Sequence, residues 1–171
     1  MTNTRIFEVF GIKYRTRQFA AVPSLDMLSR IDDLHPMDAL AQTEINVNGE
    51  WVPLTTREAI NEHLRDGIMY LAPVIVMRGI VSLVTEYSFA FAKEWKGMKV
   101  PARFTTGQSS SEIRSSPHVN PMIANIIQEG MATLRELEEY YSLEDAFKMF
   151  DVLTAKSINS ALAHEAATKR R

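Results

Sequence analysis

The stretch Y-L-A-P-V-I-V-M-R-G-I-V-S-L-V-T-E-Y-S-F-A-F-A-K-E-W, Tyr70 to Trp95, decides the fold, because it is the longest and most apolar run in the chain. Proline has a fixed φ and no N–H, so Pro73 suits a first helical turn and not an interior. Gly97, just past the cationic Lys96, is a stop signal. The expected helix covers about 73–96, roughly 35 Å at about 1.5 Å per residue. Ile75, Val76, Gly79, Ile80, Leu83, Tyr87, Phe91 and Trp95 follow a three/four spacing and share one broad face. Val74, Met77, Val81, Val84 and Ala90 carry apolar surface around the rest, which predicts burial on more than one side. Such a helix is a core that the other segments wrap.

A membrane-spanning helix also needs about 20 mostly apolar residues, so that reading has to be weighed. Arg78 interrupts the run near its middle, and Glu86 follows two turns later. A central arginine costs about 2.5–3.5 kcal/mol even on the gentler insertion scale. The opening M-T-N-T-R-I-F-E-V-F has no long apolar region after its arginine, so no secretory leader is expected. The expectation is a soluble core helix with no membrane partner, and Arg78 paired with Glu86 or another carboxylate.

Composition narrows the class further. A chain of 171 residues suits one domain of common size, or a domain with a small appendage. Its net charge of -2 gives it no overall attraction for nucleic acid. The absence of cysteine excludes disulfides and thiolate metal sites, and fits a reducing compartment.

N-terminal to the central run, Ile6–Phe10 and Ile12–Phe19 predict two strands around Gly11. In the second, Ile12 and Tyr14 alternate with Lys13, Arg15 and Arg17, which places three cations on one wet face. Ser24 is the expected cap of a helix carrying Leu25, Leu28 and Ile31, with Asp26 in its first turn. His35–Pro36 ends that helix, and a short one over about 37–42 follows. Asn48–Gly49 between Ile45–Val47 and Trp51–Leu54 is a strong hairpin signal, because both turn residues must tolerate positive φ. Thr55 and Glu58 fit a capping box for a helix to about Asp66, stopped by Gly67.

C-terminal to the run, Met98–Phe104 reads as an extended arm. The segment T-T-G-Q-S-S-S-E-I-R-S-S-P, Thr105–Pro117, is nearly devoid of apolar residues and reads as a linker. It divides a main unit, 1–104, from a C-terminal helical segment, 118–171. Asn120–Pro121 starts the first helix there by cap and N1 proline, and Gly130 ends it. Thr133 and Glu136 form a second capping box, for a helix to about Tyr141. Ser142 opens a last helix to Ala163 or beyond, with Phe147, Phe150, Leu153, Thr154, Ile158, Ala161 and Leu162 near one face. The expected fold class is therefore α+β and mostly helical. A small N-terminal antiparallel hairpin layer packs on helices, followed by a long central helix and the C-terminal helices.

Chemistry-bearing motifs are missing from this pattern. No glycine-rich phosphate loop and no G-x-S-x-G elbow occurs. His35, His63, His118 and His164 are scattered without a second ligand at workable spacing. Asp32–Asp33 and Glu138–Glu139 sit in polar contexts that suit solvated faces. The expectation is a non-enzymatic protein with no catalytic residue, cofactor or metal. A helix-turn-helix in the C-terminal helices is disfavoured by charge. Between 129 and 151, Glu129, Glu136, Glu138, Glu139, Glu144, Asp145 and Asp151 face only Arg135 and Lys148, and a recognition helix should be net basic. No nucleic-acid partner is expected. This acidic segment is expected to dock on the basic stripe Lys13/Arg15/Arg17 within the molecule. Phe147, Phe150 and Leu153, together with that stripe, are the candidate protein-contact residues, and a homo-oligomer is a further expectation.

Three stretches carry a resemblance. F-E-V-F-G-I-K-Y-R-T-R-Q-F-A-A-V (Phe7–Val22) is similar to the start of tail assembly chaperones of tailed bacteriophages. K-E-W-K-G-M-K-V-P-A-R-F (Lys93–Phe104) and L-E-E-Y-Y-S-L-E-D-A-F-K-M-F-D-V-L (Leu137–Leu153) also resemble phage tail-module proteins, the latter through its Tyr-x-Leu-x-Asp-Ala segment. Together these pieces cover under half the chain. The resemblance implies a small, largely helical, non-enzymatic protein of the infected host cytoplasm. Such proteins coat the tape-measure protein and help recruit tail tube subunits, and some are also made in a longer form by ribosomal slippage. The family brings no catalytic residues. The chain departs from its simplest members by the two hairpin-like elements near its N-terminal side, which keeps a structural part of the tail, baseplate or neck as the alternative.

Overall fold

A computed structural model describes residues 3–30, 35–64, 71–102 and 118–169. The fold is α+β and mostly helical, with a four-stranded antiparallel sheet at the N-terminal side. Strands β1 (Thr4–Val9), β2 (Ile12–Arg17), β3 (Thr43–Val47) and β4 (Glu50–Pro53) lie in sequence order. Phe10 and Gly11 have φ of 50° and 81°, and Asn48 and Gly49 have φ of 52° and 95°. Both hairpins thus turn through two positive-φ residues, the geometry whose twist matches that of the flanking strands. The register sets Phe7 opposite Tyr14, and Tyr14 opposite Ile45. Tyr14 and Ile45 are buried, while Lys13, Arg15 and Glu44 fall on the outer face.

Helices α1 (Ala21–Ser29), α2 (Pro36–Leu40), α3 (Arg57–His63), α4 (Pro73–Phe89) and α5 (Phe91–Glu94) accompany the sheet. Helices α6 (Pro121–Gln128), α7 (Leu134–Glu139) and α8 (Leu143–Lys169) complete the chain. Several boundaries differ from the sequence expectation. Ser24 does not cap α1: the helix begins at Ala21, and the Ser24 hydroxyl donates to the Phe19 carbonyl at 3.3 Å. Ala20 is the N-cap and offers no side-chain bond, since a tertiary bridge to Ser142 holds that end instead. Thr56, not Thr55, caps α3 by accepting from Ala59 N–H at 3.2 Å. The expected end of that helix, at 66–67, lies outside the described residues, as does the 105–117 linker.

The central helix is shorter and less enclosed than its composition suggests. It breaks after Phe89, and Trp95 is already extended, so no helix runs to Lys96. Val76, Ile80, Val84 and Ser88 are its buried residues on a strict four-residue spacing, with Phe89 beside them. Val74 and Ile75 stay 45% exposed, so the helix lies against the sheet with one side only. Gly79 lies at the contact with the first hairpin, where a Cβ would meet the Val9 side chain at 3.4 Å, an ordinary van der Waals distance. Arg5 from the sheet lies over the Tyr87 ring of α4 at 5.5 Å, a cation–π contact that helps orient the two layers.

Two apolar clusters form the interior. One joins the inner sheet face, α2, α3 and α4 around Tyr14, Leu40, Ile45, Leu54, Ile80 and Val84. The other joins α1, α6, α7 and α8 around Ala21, Ile123, Ile126, Leu137, Ala146 and Leu153. Helix α1 is their shared wall: Met27 belongs to the first cluster and Ala21 to the second. Ala21 N–H donates to the Tyr141 carbonyl at 2.8 Å, and Ala21 and Ala146 are fully buried. Small side chains there let the backbones of α1 and α8 come close. The C-terminal helices therefore pack directly on α1.

Candidate protein-contact surface

Local sequence chemistry places the three C-terminal helices. Asn120 accepts from Met122 N–H at 2.9 Å, with Pro121 at the first helical position. Gly130, at φ 70°, turns the chain, and Met131 N–H closes back on the Ile126 carbonyl at 3.1 Å. Thr133 and Glu136 form the reciprocal capping box of α7. Ser142 and Asp145 do the same for α8, at 3.1 and 3.2 Å. These caps fix where α8 starts, and hence the rotation of its 27 residues.

That rotation sends the three aromatic and aliphatic candidates in different directions. Phe147 packs edge-on against Phe91 and Trp95, each at 5.7 Å between ring centroids. Leu153 is 8% exposed and belongs to the second cluster. Phe147 therefore serves the interior, which corrects its expected place on a contact face. The physical reason is the spacing: steps of three residues turn about 300° each, so 147, 150 and 153 fan out instead of stacking. Phe150 and the edge of the nearly buried Leu153 line a groove of about 630 Å³ between α6 and α8.

The groove is walled by Asn125 and Glu129 of α6, and Val100 lines it from the segment after α5. Its floor is Phe150 and Leu153, continued along α8 by Thr154, Ser157, Ile158 and Ala161. The Lys156 ammonium bonds the Glu129 carboxylate at 2.6 Å and ties the two helices together at its rim. Asp151 accepts from Met98 N–H at 3.1 Å, which draws the segment after α5 toward α8. Beyond Leu153 no residue of α8 is buried, and about 16 residues, roughly 24 Å, project past the second cluster. Ile158, Ala161 and Leu162 continue an apolar strip onto this projecting half.

The basic stripe is organised within the sheet. Lys13 and Arg17 are exposed on its outer face, as the alternation predicts. Arg15 pairs with Glu44 on the neighbouring strand and stacks over the Trp51 ring at 4.7 Å. The acids of α7 and α8 find partners near home: Glu139 with Arg135, Glu144 with Lys148, and Glu129 with Lys156. The expected docking of this acidic segment on the stripe is thus replaced by local pairs. Sequence reasoning missed Glu44 as the partner of Arg15 because the β2–β3 register was not readable. It also missed Asn125, Glu129 and Val100, whose approach to α8 depends on tertiary packing.

Groups with displaced titration lie outside the groove. Burial pushes the Tyr14 phenol up to about 12. Burial also raises Tyr87, against the opposing charge of Arg5. Hydrogen bonds from the Thr133 backbone and hydroxyl hold Glu136 below the usual carboxylate range. Among the described residues, no three His, Asp or Glu side chains are placed to hold a metal ion. No described helix is long and apolar enough to cross a membrane. No family model, curated protein or solved structure matches the chain. The groove combines an apolar floor of Phe150, Leu153, Ile158 and Ala161 with polar walls that carry Asn125, Glu129, Lys156 and Ser160.

Proposed function

We propose that the protein is a phage tail assembly chaperone that holds helical segments of the tape-measure protein, tail tube subunits, or both. The observation that carries this reading is the open α6–α8 groove, extended by the apolar strip on the projecting half of α8. A groove with an apolar floor and polar walls suits an amphipathic helix, whose own apolar residues recur every three to four positions. The resemblance of 7–22, 93–104 and 137–153 to tail-module proteins supplies the client class, and the host cytoplasm would be the place of action.

Co-expression with the tape-measure and tube proteins of a tailed phage from the same source tests the proposal. The tagged protein should retain one of them, and Phe150→Asp should abolish retention while leaving thermal stability near wild type. Absence of any tail component, together with stoichiometric presence in purified virions, refutes the chaperone and assigns a structural part of the tail, baseplate or neck.

A further inference from the structure

Strand β1 is one edge of the sheet, and its free side has the pattern of a strand that pairs with its own copy. We propose that two copies of the chain pair through their β1 strands, antiparallel about a two-fold axis at Ile6, so that the two sheets join into one. This inference stands independently of the chaperone reading, because it concerns the protein alone.

The backbone is the first argument. Gln18 N–H donates to the Asn3 carbonyl at 3.0 Å, and Val9 faces Ile12 across the two-residue turn. Odd-numbered residues of β1 therefore turn their backbone groups toward β2, and Thr4, Ile6 and Glu8 turn theirs to the open side. All three are exposed, and Ile6, at 62%, is the most exposed large apolar side chain among the described residues. The opposite edge, β4, is short and ends in Pro53, a residue that blunts strand pairing. Strand β1 runs six residues with no proline and no lysine. An open row of donors and acceptors of this kind is a template for a further strand.

The side chains select a second copy as that strand. With Ile6 on the axis, Ile6 faces Ile6 of the second copy and Thr4 faces its Glu8, all on the outer face. This register satisfies every N–H and C=O that the three residues turn outward. A shift of two residues either way carries Thr4 or Glu8 past the end of the facing strand. The exposed Ile6 pair gains cover at the centre, and Arg15 beside it is already neutralised by Glu44, so no like charges meet there. Glu8 and Arg17 carry no ion pair among the described residues. Arg17 neighbours Thr4 across β1 and β2. In the joined sheet Thr4 stands between Arg17 and the second copy's Glu8, whose Cα atoms lie about 10 Å apart, two strand spacings. The two long side chains bridge that span over the short threonine, and symmetry repeats the contact. Only one strand of each copy takes part, so the pair should be reversible and concentration-dependent.

Sedimentation equilibrium of the full chain without client is the test. A monomer–dimer equilibrium is expected over about 1–100 µM. Ile6→Lys sets like charges on the axis and should leave a monomer with an unchanged melting temperature, since the side chain is exposed. Glu8→Arg and Arg17→Glu should each weaken pairing about threefold or more, and the two together should recover it. The chain has no cysteine, so single cysteines report the register. Under mild oxidation Ile6→Cys should link two copies across the axis, where facing Cα atoms lie about 5.5 Å apart, while Thr4→Cys should link only to Glu8→Cys. A chain that stays monomeric across this range overturns the proposal. So does a dimer indifferent to Ile6→Lys, or a Thr4→Cys chain that links to itself as fast as Ile6→Cys does. Client retention is measured separately: a monomer that still holds tape-measure protein sinks the pairing alone, and a dimer that holds no tail component sinks the chaperone alone.

Discussion

Replacing Phe147 with alanine should loosen the grip of α8 on α5. The ring sits edge-on between Phe91 and Trp95, with centroids 5.7 Å from each, and those two rings are 6.1 Å apart. Complete removal of a core phenylalanine costs about 3–5 kcal/mol. Phe147 is half-buried, so roughly half of that applies, and the two edge-to-face contacts add about 0.5–1.5 kcal/mol each. Allowing for overlap between these terms, the expected loss is about 2–3 kcal/mol. For a chain of this size that lowers the melting temperature by about 5–10 °C. Urea unfolding followed by circular dichroism measures the loss. Emission from Trp95, isolated in a Trp51→Phe background since the chain has two tryptophans, reports the local change. A loss under about 0.5 kcal/mol with unaltered Trp95 emission would show that the aromatic triad does not hold the helices together.

Tyr14→Phe should stabilise by about 1 kcal/mol, because the buried hydroxyl finds no partner among the described residues. The same group sets an alkaline limit. Its folded pKa of about 12 exceeds the ordinary 10, so stability is undiminished below pH 10 and falls between 10 and 12 as the unfolded chain ionises first. The fall attributable to this group is at most about 2–3 kcal/mol, and alkaline titration of the phenylalanine variant should lack it. Thr133→Ala should cost about 1 kcal/mol by removing the hydroxyl arm of the α7 cap, while the backbone N–H at 133 still donates to the Glu136 carboxylate, measured by urea unfolding at neutral pH. The contribution of Glu136 to that cap is present above the ordinary glutamate pKa and is lost as pH falls through its lowered value, so the gap between wild type and variant should narrow in acid to the part carried by the Thr133 hydroxyl accepting from Glu136 N–H. Ile80→Ala should cost about 2–5 kcal/mol, because its side chain is fully enclosed between α4 and the sheet.

What could be read from residues alone follows how local the physics is. The Asn48–Gly49 turn, the Asn120–Pro121 start, the Thr133–Glu136 box and the Gly130 stop each depend on a few neighbouring residues, and each stands where it was expected. The start of α1 was misplaced because Ala20 has no capping side chain and is held by Ser142, far along the chain. The burial of α4 was overestimated because apolar composition does not say which side meets a partner. Only the 76/80/84/88 line does, and the choice is made by the sheet and α2, against which that line packs. In the candidate surface, Phe147, Phe150 and Leu153 share the same sequence grounds, although Phe147 turns into the aromatic triad while Phe150 and Leu153 line the groove. Separating the three requires the exact rotation of α8 and the positions of α5 and α6, neither of which a helical spacing contains.

The bond from Ala21 N–H to the Tyr141 carbonyl has a consequence for how the molecule is born. Its two ends are separated by roughly 120 residues, so closing it demands that almost the whole polypeptide be synthesised first. At about 5–20 residues per second, the ribosome releases the first hairpin many seconds before α8 exists to cover Ala21. During that interval α1 keeps one greasy flank bare on the nascent chain. A truncation that ends before Ser142 would leave the flank bare for good, and it should aggregate or recruit holdase chaperones while the sheet beside it folds.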